Sequence, residues 1–268
     1  MTRTDGDTVV ALADEAARRA AARSGVVVRE LTGIAEQADG IRLLSDIWGR
    51  TPENPPVPPE LLRALSKAGN YVGGAFGDDG LLGVAIAFHA DPGRHALHSH
   101  IAGIAPAHAG RAVGFALKQH QRAWALARGI DVIEWTFDPL VARNAHFNIT
   151  KLGARPVEYL ANFYGAMSDG VNGDDETDRL LITWDLRSAE TAACAAGAPA
   201  RPPRPEAGDR TVAVPRDIER LRREHPADAH RWRLQVRAEL GDLLDAGGRI
   251  IGFDRDEGYL VRRGEETR

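Results

Sequence analysis

The run HSHIAGIAPAHAGRAVGFALKQHQRAW, from His98 to Trp124, passes from an alternating segment through Pro106 into a turn with Gly110 and Gly114, then straight into a helical pattern. Val113, Leu117 and Trp124 fall at i, i+4 and i+11, one apolar stripe of a helix over 110–128. The first amides of such a helix lack intrahelical partners and lie at the positive end of its dipole. Small residues in the turn let a diphosphate approach the backbone closely. A plain strand-to-helix connection carries the same local pattern, so the neighbouring segments decide between the two.

Upstream, Tyr71–Phe76 and Leu81–His89 flank Gly77-Asp78-Asp79-Gly80, a hairpin pattern. Residues 6–23 read as an Ala-rich helix stopped by Ser24-Gly25, and Val26–Arg29 as a strand. Thr32, with Glu36 nearby, is a candidate cap for a helix ending near Gly49. The proline-rich segment Thr51–Pro59 dictates a loop before a short helix around Pro59–Ala68. Ala96–Ala105 reads as a strand. Downstream come a strand at Asp131–Phe137, a short helix over 142–152 closed by Gly153, and strands at Val157–Met167 and Arg179–Leu186 around a polar loop, Ser168–Asp178. After the first helix the order is β-α-α-β-β-β-α-β-α-β-β. It predicts an α/β (α+β) fold with a mixed, mostly antiparallel sheet flanked by helices.

Residues 188–210 are rich in Ala and Pro without periodicity and read as a linker. Beyond it, Trp232, Val236, Leu240 and Leu243 predict a helix over about Asp228–Asp245, and Arg249–Phe253 with Tyr259–Val261 a small hairpin. The expected divisions are an N-terminal helix at 1–25, a main domain at 26–187, the linker, and a small α+β segment at 211–268. That last piece is short for an independent core. It is expected to pack on the main body or on a partner chain, which leaves a homodimer open.

Of the 268 residues, 43% are apolar and 27% charged, as in an ordinary globular chain. The formal charge of -4, with acids interleaved among Arg220, Arg222 and Arg223, disfavours nucleic acid as a partner. A single cysteine, Cys194, excludes a disulfide framework within the monomer and offers no nucleophile pattern among its alanines. No stretch reads as a signal peptide or approaches the roughly 20 apolar residues of a membrane span. A cytoplasmic location, no membrane partner and no metal are therefore expected.

Taken together, the His98–Trp124 run, RNAHFNITKLGARPVEYL at 143–160, FDPLVARNAHFN and DRLLITWDL resemble the GNAT acyltransferase superfamily over roughly residues 26–186. In that family the phosphate loop reads Gln/Arg-x-x-Gly-x-Gly/Ala, and the helix after the fifth strand ends in Lys-Leu-Gly-aromatic; here it ends Lys151-Leu152-Gly153-Ala154. Aligning Pro106 puts Ala109 at the Gln/Arg position, Ala112 at the first Gly and Gly114 at the last small position. A register shifted by two, Arg111 to Ala116, satisfies the pattern inside the helix.

The resemblance implies a sheet whose central strands splay and acetyl-CoA or another acyl-CoA as co-substrate. It implies cofactor contacts from Ile104, Ala105, Gly110, Arg111, Ala112, Val113, Gly114 and Asn144. It also implies acyl transfer to the amine of a small molecule. Some proteins of this appearance are associated with N-succinylation or N-acylation of amino acids. A protein-lysine or N-terminal acetyltransferase and a non-catalytic acyl-CoA-binding module are the alternatives. Many members carry a Tyr four residues before the closing Gly; here Ile149 stands there, and Tyr164, ahead of Tyr159, is the substitute acid. Proton acceptors are sought among His98, His100, Glu134 and Asp138, with His100 and Asp138 foremost. Strand alternation puts His98, His100, Ala102 and Ile104 on one face. Arg143 is expected to grip a carboxylate on acceptor or acyl group.

Overall fold

Alanines at 13, 16, 17 and 20 recur with helical spacing and are all buried, which lets the first helix, α1 (Arg3–Ser24), pack closely on another helix. Residues 3–165 and 175–264 are described by this computed structural model. The end of the expected strand at Met167 and most of the loop Ser168–Asp178 lie outside the described residues. Two compact units emerge, Met1–Glu134 with Asp185–Ser188 and Trp135–Trp184 with Ala189–Arg268. Among the described residues no helix is long and apolar enough to cross a membrane.

The first unit continues with β1 (Val27–Glu30), α2 (Ile34–Trp48), α3 (Pro59–Lys67), β2 (Tyr71–Gly77), β3 (Gly80–His89), β4 (Ala96–Ile104), α4 (Val113–Leu126) and the start of β5 (Val132–Phe137). Gly33, not Thr32, precedes the first turn of α2; its amide donates to the Glu36 carboxylate at 3.3 Å. Alternation along β2 and β3 sends Val72, Val84 and Ile86 into a core with Leu31, Ile41, Leu44, Val57 and Leu62. Each such side chain contributes about 2 kcal/mol on burial. The opposite face receives α4: Tyr71 meets Trp124 edge-on at 5.3 Å and hydrogen-bonds His120 at 2.9 Å. The predicted stripe holds, with Val113, Leu117 and Trp124 all buried.

The second unit takes the end of β5, then α5 (Ala142–Ala145), β6 (Arg155–Leu160), β7 (Arg179–Asp185, of which the last residue belongs to the first unit), α6 (Ala189–Ala195), β8 (Arg210–Val212), α7 (Ile218–Glu224), α8 (Pro226–Val236), α9 (Asp242–Asp245), β9 (Arg249–Asp254) and β10 (Gly258–Arg262). α5 widens into a π-turn over His146–Lys151, and another π-turn, Arg237–Gly241, interrupts the helix expected over 228–245. β6 stops at Leu160 because Asn162 turns left-handed (φ 46°) and its amide donates to Asp178 at 2.9 Å. The stretch read as a linker opens with α6, and Arg210–Val212 adds an unforeseen third strand to the C-terminal hairpin in the order β8-β10-β9.

Strands β1 to β7 make one seven-stranded sheet in the order β1-β2-β3-β4-β5-β7-β6. It is antiparallel at β1–β2, β2–β3, β3–β4 and β6–β7 and parallel at β4–β5, the mixed, mostly antiparallel sheet the sequence order predicts.

Candidate functional site

In the first unit the candidate site is built on β4. Ile101 pairs with Ile86 and Ser99 with Ala87, so His100 is an extra residue, a β-bulge. The bulge corrects the expectation that His98, His100, Ala102 and Ile104 share a face. His98 and His100 lie with Phe88, ring centroids 5.0 and 5.7 Å away. Ile104 lies on the α4 face, where its Cδ1 would meet a Cβ placed on Gly83 at 2.6 Å, next to Leu117. One inserted residue has re-aimed the strand between them. Burial, then the neighbouring His100 and Lys118, lower the proton affinity of His98; burial alone lowers that of His100. Both rings are thus held toward the neutral form that accepts a proton. Glu134, opposite His98 on β5, is held by Arg94 at 2.5 Å.

β4 and β5 are bridged only at Ala96–His98 with Val132–Glu134, whereas β4 stays paired with β3 as far as Ile104. Among the described residues β4 has no bridge to β5 beyond His98. The chain then leaves β4 through the turn predicted from its small residues. The Ala105 amide is tied to the Leu82 carbonyl at 2.8 Å, Pro106–His108 form a 3₁₀ turn, and the Arg111 amide leans on the His108 carbonyl at 3.4 Å. Gly110 (φ 82°) and Ala112 (φ 60°) are both left-handed, and α4 starts at Val113, three residues later than expected. Among the described residues the amides of Gly110, Ala112, Val113 and Gly114 have no acceptor. Four donors at one helix N-terminus, in a turn of small side chains, fit a phosphate group. Arg111 is exposed beside them, without an ion-pair partner among the described residues.

The second unit holds Asp138, Arg143, Asn144 and Tyr164. Asp138 is buried and accepts from Arg233 Nη1 and Nη2 (2.9 Å each), from Arg222 Nη2 (2.5 Å) and from the Leu140 amide (2.9 Å). Burial opposes its ionisation, but the charges and hydrogen bonds of Arg233 and then Arg222 outweigh it and hold the carboxyl well below the usual carboxylate range. The expectation of Asp138 as a proton acceptor is corrected accordingly: this carboxylate anchors structure. Asp175 shares both arginines, at 3.0 Å from Arg233 and 3.1 Å from Arg222, and Arg237 reaches Asp178 at 2.5 Å.

Arg143, expected to grip a substrate carboxylate, is bound through both Nη atoms by Glu219 of α7. Asn144 is exposed on α5. The Tyr164 hydroxyl is 3.0 Å from Thr136 Oγ1 and the residue is 41% exposed. Tyr159 donates to Asp178 at 2.6 Å, and burial plus that carboxylate push its phenol well up. Sequence reasoning missed the arginines of α8 and its π-turn, and it missed Lys118, a buried amine on α4. The visible signal for Arg233 was its place between Trp232 and Val236 in the apolar stripe of its helix.

No protein-family model matches the sequence, and no curated protein matches it either. Solved structures do. The ribosomal-protein-S18-alanine N-acetyltransferase from Escherichia coli superposes with a TM-score of 0.50 at 12% identity, over 61% of this chain and 96% of that one. An N-acetyltransferase from Staphylococcus aureus Mu50 does so with a TM-score of 0.50 at 14% identity, over 60% of this chain and 99% of that one. Strand order, the mostly antiparallel seven-stranded sheet flanked by helices and these superpositions agree: the chain carries the GNAT N-acetyltransferase fold.

Proposed function

We propose that the chain moves an acetyl or other acyl group, succinyl included, from acyl-CoA to the amine of a small molecule such as an amino acid, in the cytoplasm and by direct attack in a ternary complex. The observation that carries this reading is the set of amides at Gly110, Ala112, Val113 and Gly114, acceptor-free among the described residues and placed directly after a strand whose bridges to its parallel neighbour end at His98. In the proposed mechanism these amides and Arg111 hold the diphosphate of acyl-CoA. Asn144 contacts the pantetheine arm. Backbone N–H groups of β4 near Ile101–Ile104 stabilise the oxyanion that develops as the thioester carbonyl is attacked. Holding thioester and amine together lowers the entropic barrier.

An ammonium ion has no lone pair, so a base must first remove its proton. His100 takes that role, favoured by its place on the bulge and by its lowered proton affinity. Tyr164 supplies a proton to the departing thiolate. Arg143 meets a substrate carboxylate only by exchanging Glu219 for it.

The test is a screen of amine acceptors with acetyl-CoA and succinyl-CoA, following thiol release, together with Gly114→Glu. A Cβ at Gly114 has only an ordinary contact, 3.7 Å from Ile104 Cγ1, so the fold accepts the side chain. The carboxylate beside the amides then abolishes CoA binding. Undiminished CoA affinity in a folded Gly114→Glu protein refutes the placement of the phosphates, and CoA binding without thiol release from any acceptor favours a non-catalytic acyl-CoA-binding module.

A further inference from the structure

We infer that Lys118 is a positioning residue for the proposed acyl transfer: from the α4 side of the sheet it tethers Ser99 and thereby fixes the bulge that presents His100. The inference rests on the reading of β4 as the strand that serves the reacting groups.

Lys118 is 6% exposed, beside Leu117 in a helix that is buried over most of its surface. Its Nζ donates to Ser99 Oγ at 2.8 Å and to Gln121 Oε1 at 3.0 Å. Burial pushes its pKa down to about 7, a sign of how unfavourable an ammonium is at this position. A Met or Leu of similar volume would fill the space without that cost. What an apolar side chain cannot do is hold Ser99.

Ser99 occupies a decisive point on β4. It is the first residue past the last bridge to β5, His98 with Glu134, and the last before the unpaired His100. Among the described residues β4 has no bridge to β5 from there on. On one face the Phe88 ring packs on His98 and His100; on the other, Lys118 tethers Ser99. With residues 98 and 99 pinned on opposite faces, and Ile101 paired with Ile86, the extra residue falls at 100. Without the tether the bulge is free to migrate by one residue, and each step turns the intervening side chain to the opposite face.

Lys118→Met and Ser99→Ala test the tether, read against the wild type by hydrogen exchange along β4, by the thermal midpoint, and by kcat and KM for acetyl-CoA with an acceptor that turns over. In Lys118→Met the midpoint holds or rises. The amides of His98–Ala102 exchange at least about tenfold faster. kcat falls about tenfold or more with KM for acetyl-CoA within about twofold, because misplacement of the base by roughly an ångström carries penalties of that order. Ser99→Ala reproduces both changes, with the lysine still present. Unchanged exchange along β4 in either folded variant overturns the inference, and so does a kinetic defect confined to KM. If the wild type turns over no acceptor, it is the acyl-transfer reading that falls, and exchange along β4 alone then decides the role of Lys118.

Discussion

Replacing Arg233 by Met asks whether the C-terminal arginines hold the second unit together. The guanidinium is fully buried and spans two carboxylates, Asp138 through both Oδ atoms and Asp175 through Oδ2, at 2.9 to 3.0 Å. Two arginines, 222 and 233, contact both of these aspartates, so deleting one removes half of the guanidinium groups in contact with them. Breaking a buried pair in this way costs about 3–5 kcal/mol. Arg222 still contacts Asp138 at 2.5 Å and Asp175 at 3.1 Å, which places the expected loss near the lower end, about 3 kcal/mol. At roughly 2–4 °C per kcal/mol for a chain of this size, the thermal midpoint drops by about 6–12 °C.

Urea unfolding of the wild type, Arg233→Met, Asp138→Asn and the double variant supplies the measurement. In the double variant both charges of the Arg233–Asp138 pair are gone, and the combined loss falls short of the sum of the single losses by at least about 1 kcal/mol. The same network sets a pH dependence. Asp138 has a lower pKa folded than unfolded, so the folded state binds fewer protons. Its contribution is complete above the unfolded carboxylate value, about 3.9, and is lost as the pH falls through the depressed folded value. A loss below about 1 kcal/mol for Arg233→Met, or single effects that add within about 0.5 kcal/mol, refutes the claim that these charges are coupled.

Two further outcomes concern the first unit. Ala112→Gly relieves a left-handed alanine at φ 60° and is expected to stabilise the fold by about 1 kcal/mol in thermal unfolding, with CoA affinity by calorimetry undiminished, since the amides stay where they are. If His100 is the base, kcat/KM of the wild type rises with pH through a value below the ordinary imidazole range and then levels, because burial lowers the pKa and only the neutral ring accepts a proton. In His100→Gln that limb disappears; a surviving limb in the variant assigns the proton transfer to another group.

The sequence made the turn after β4 far more legible than the surroundings of the candidate bases, and the difference has a physical cause. A phosphate-holding turn needs only backbone amides, small residues and a helix start. Those are local properties, written in Pro106, Gly110, Gly114 and the Val113–Leu117–Trp124 stripe, and only the start of α4 was misplaced. A base is defined by its surroundings. Asp138 and His100 are both candidates in the chain, His100 with the better-placed ordinary pKa, yet the partners that disqualify Asp138 lie 84 and 95 residues away, the nearer of them among arginines that read as a solvated helix face. The bulge at His100 was hidden for a related reason: nothing in SHIAG marks an extra residue, because a bulge belongs to the register between two strands and is decided by what pins them. Lys118 was hidden by its charge, which reads as a solvent-facing helix position until the strand beneath it is known. Buried charge is therefore where local reading fails in this chain: Arg222 and Arg233 hold Asp138, and Lys118 holds Ser99, contacts that appear only once distant segments are brought together.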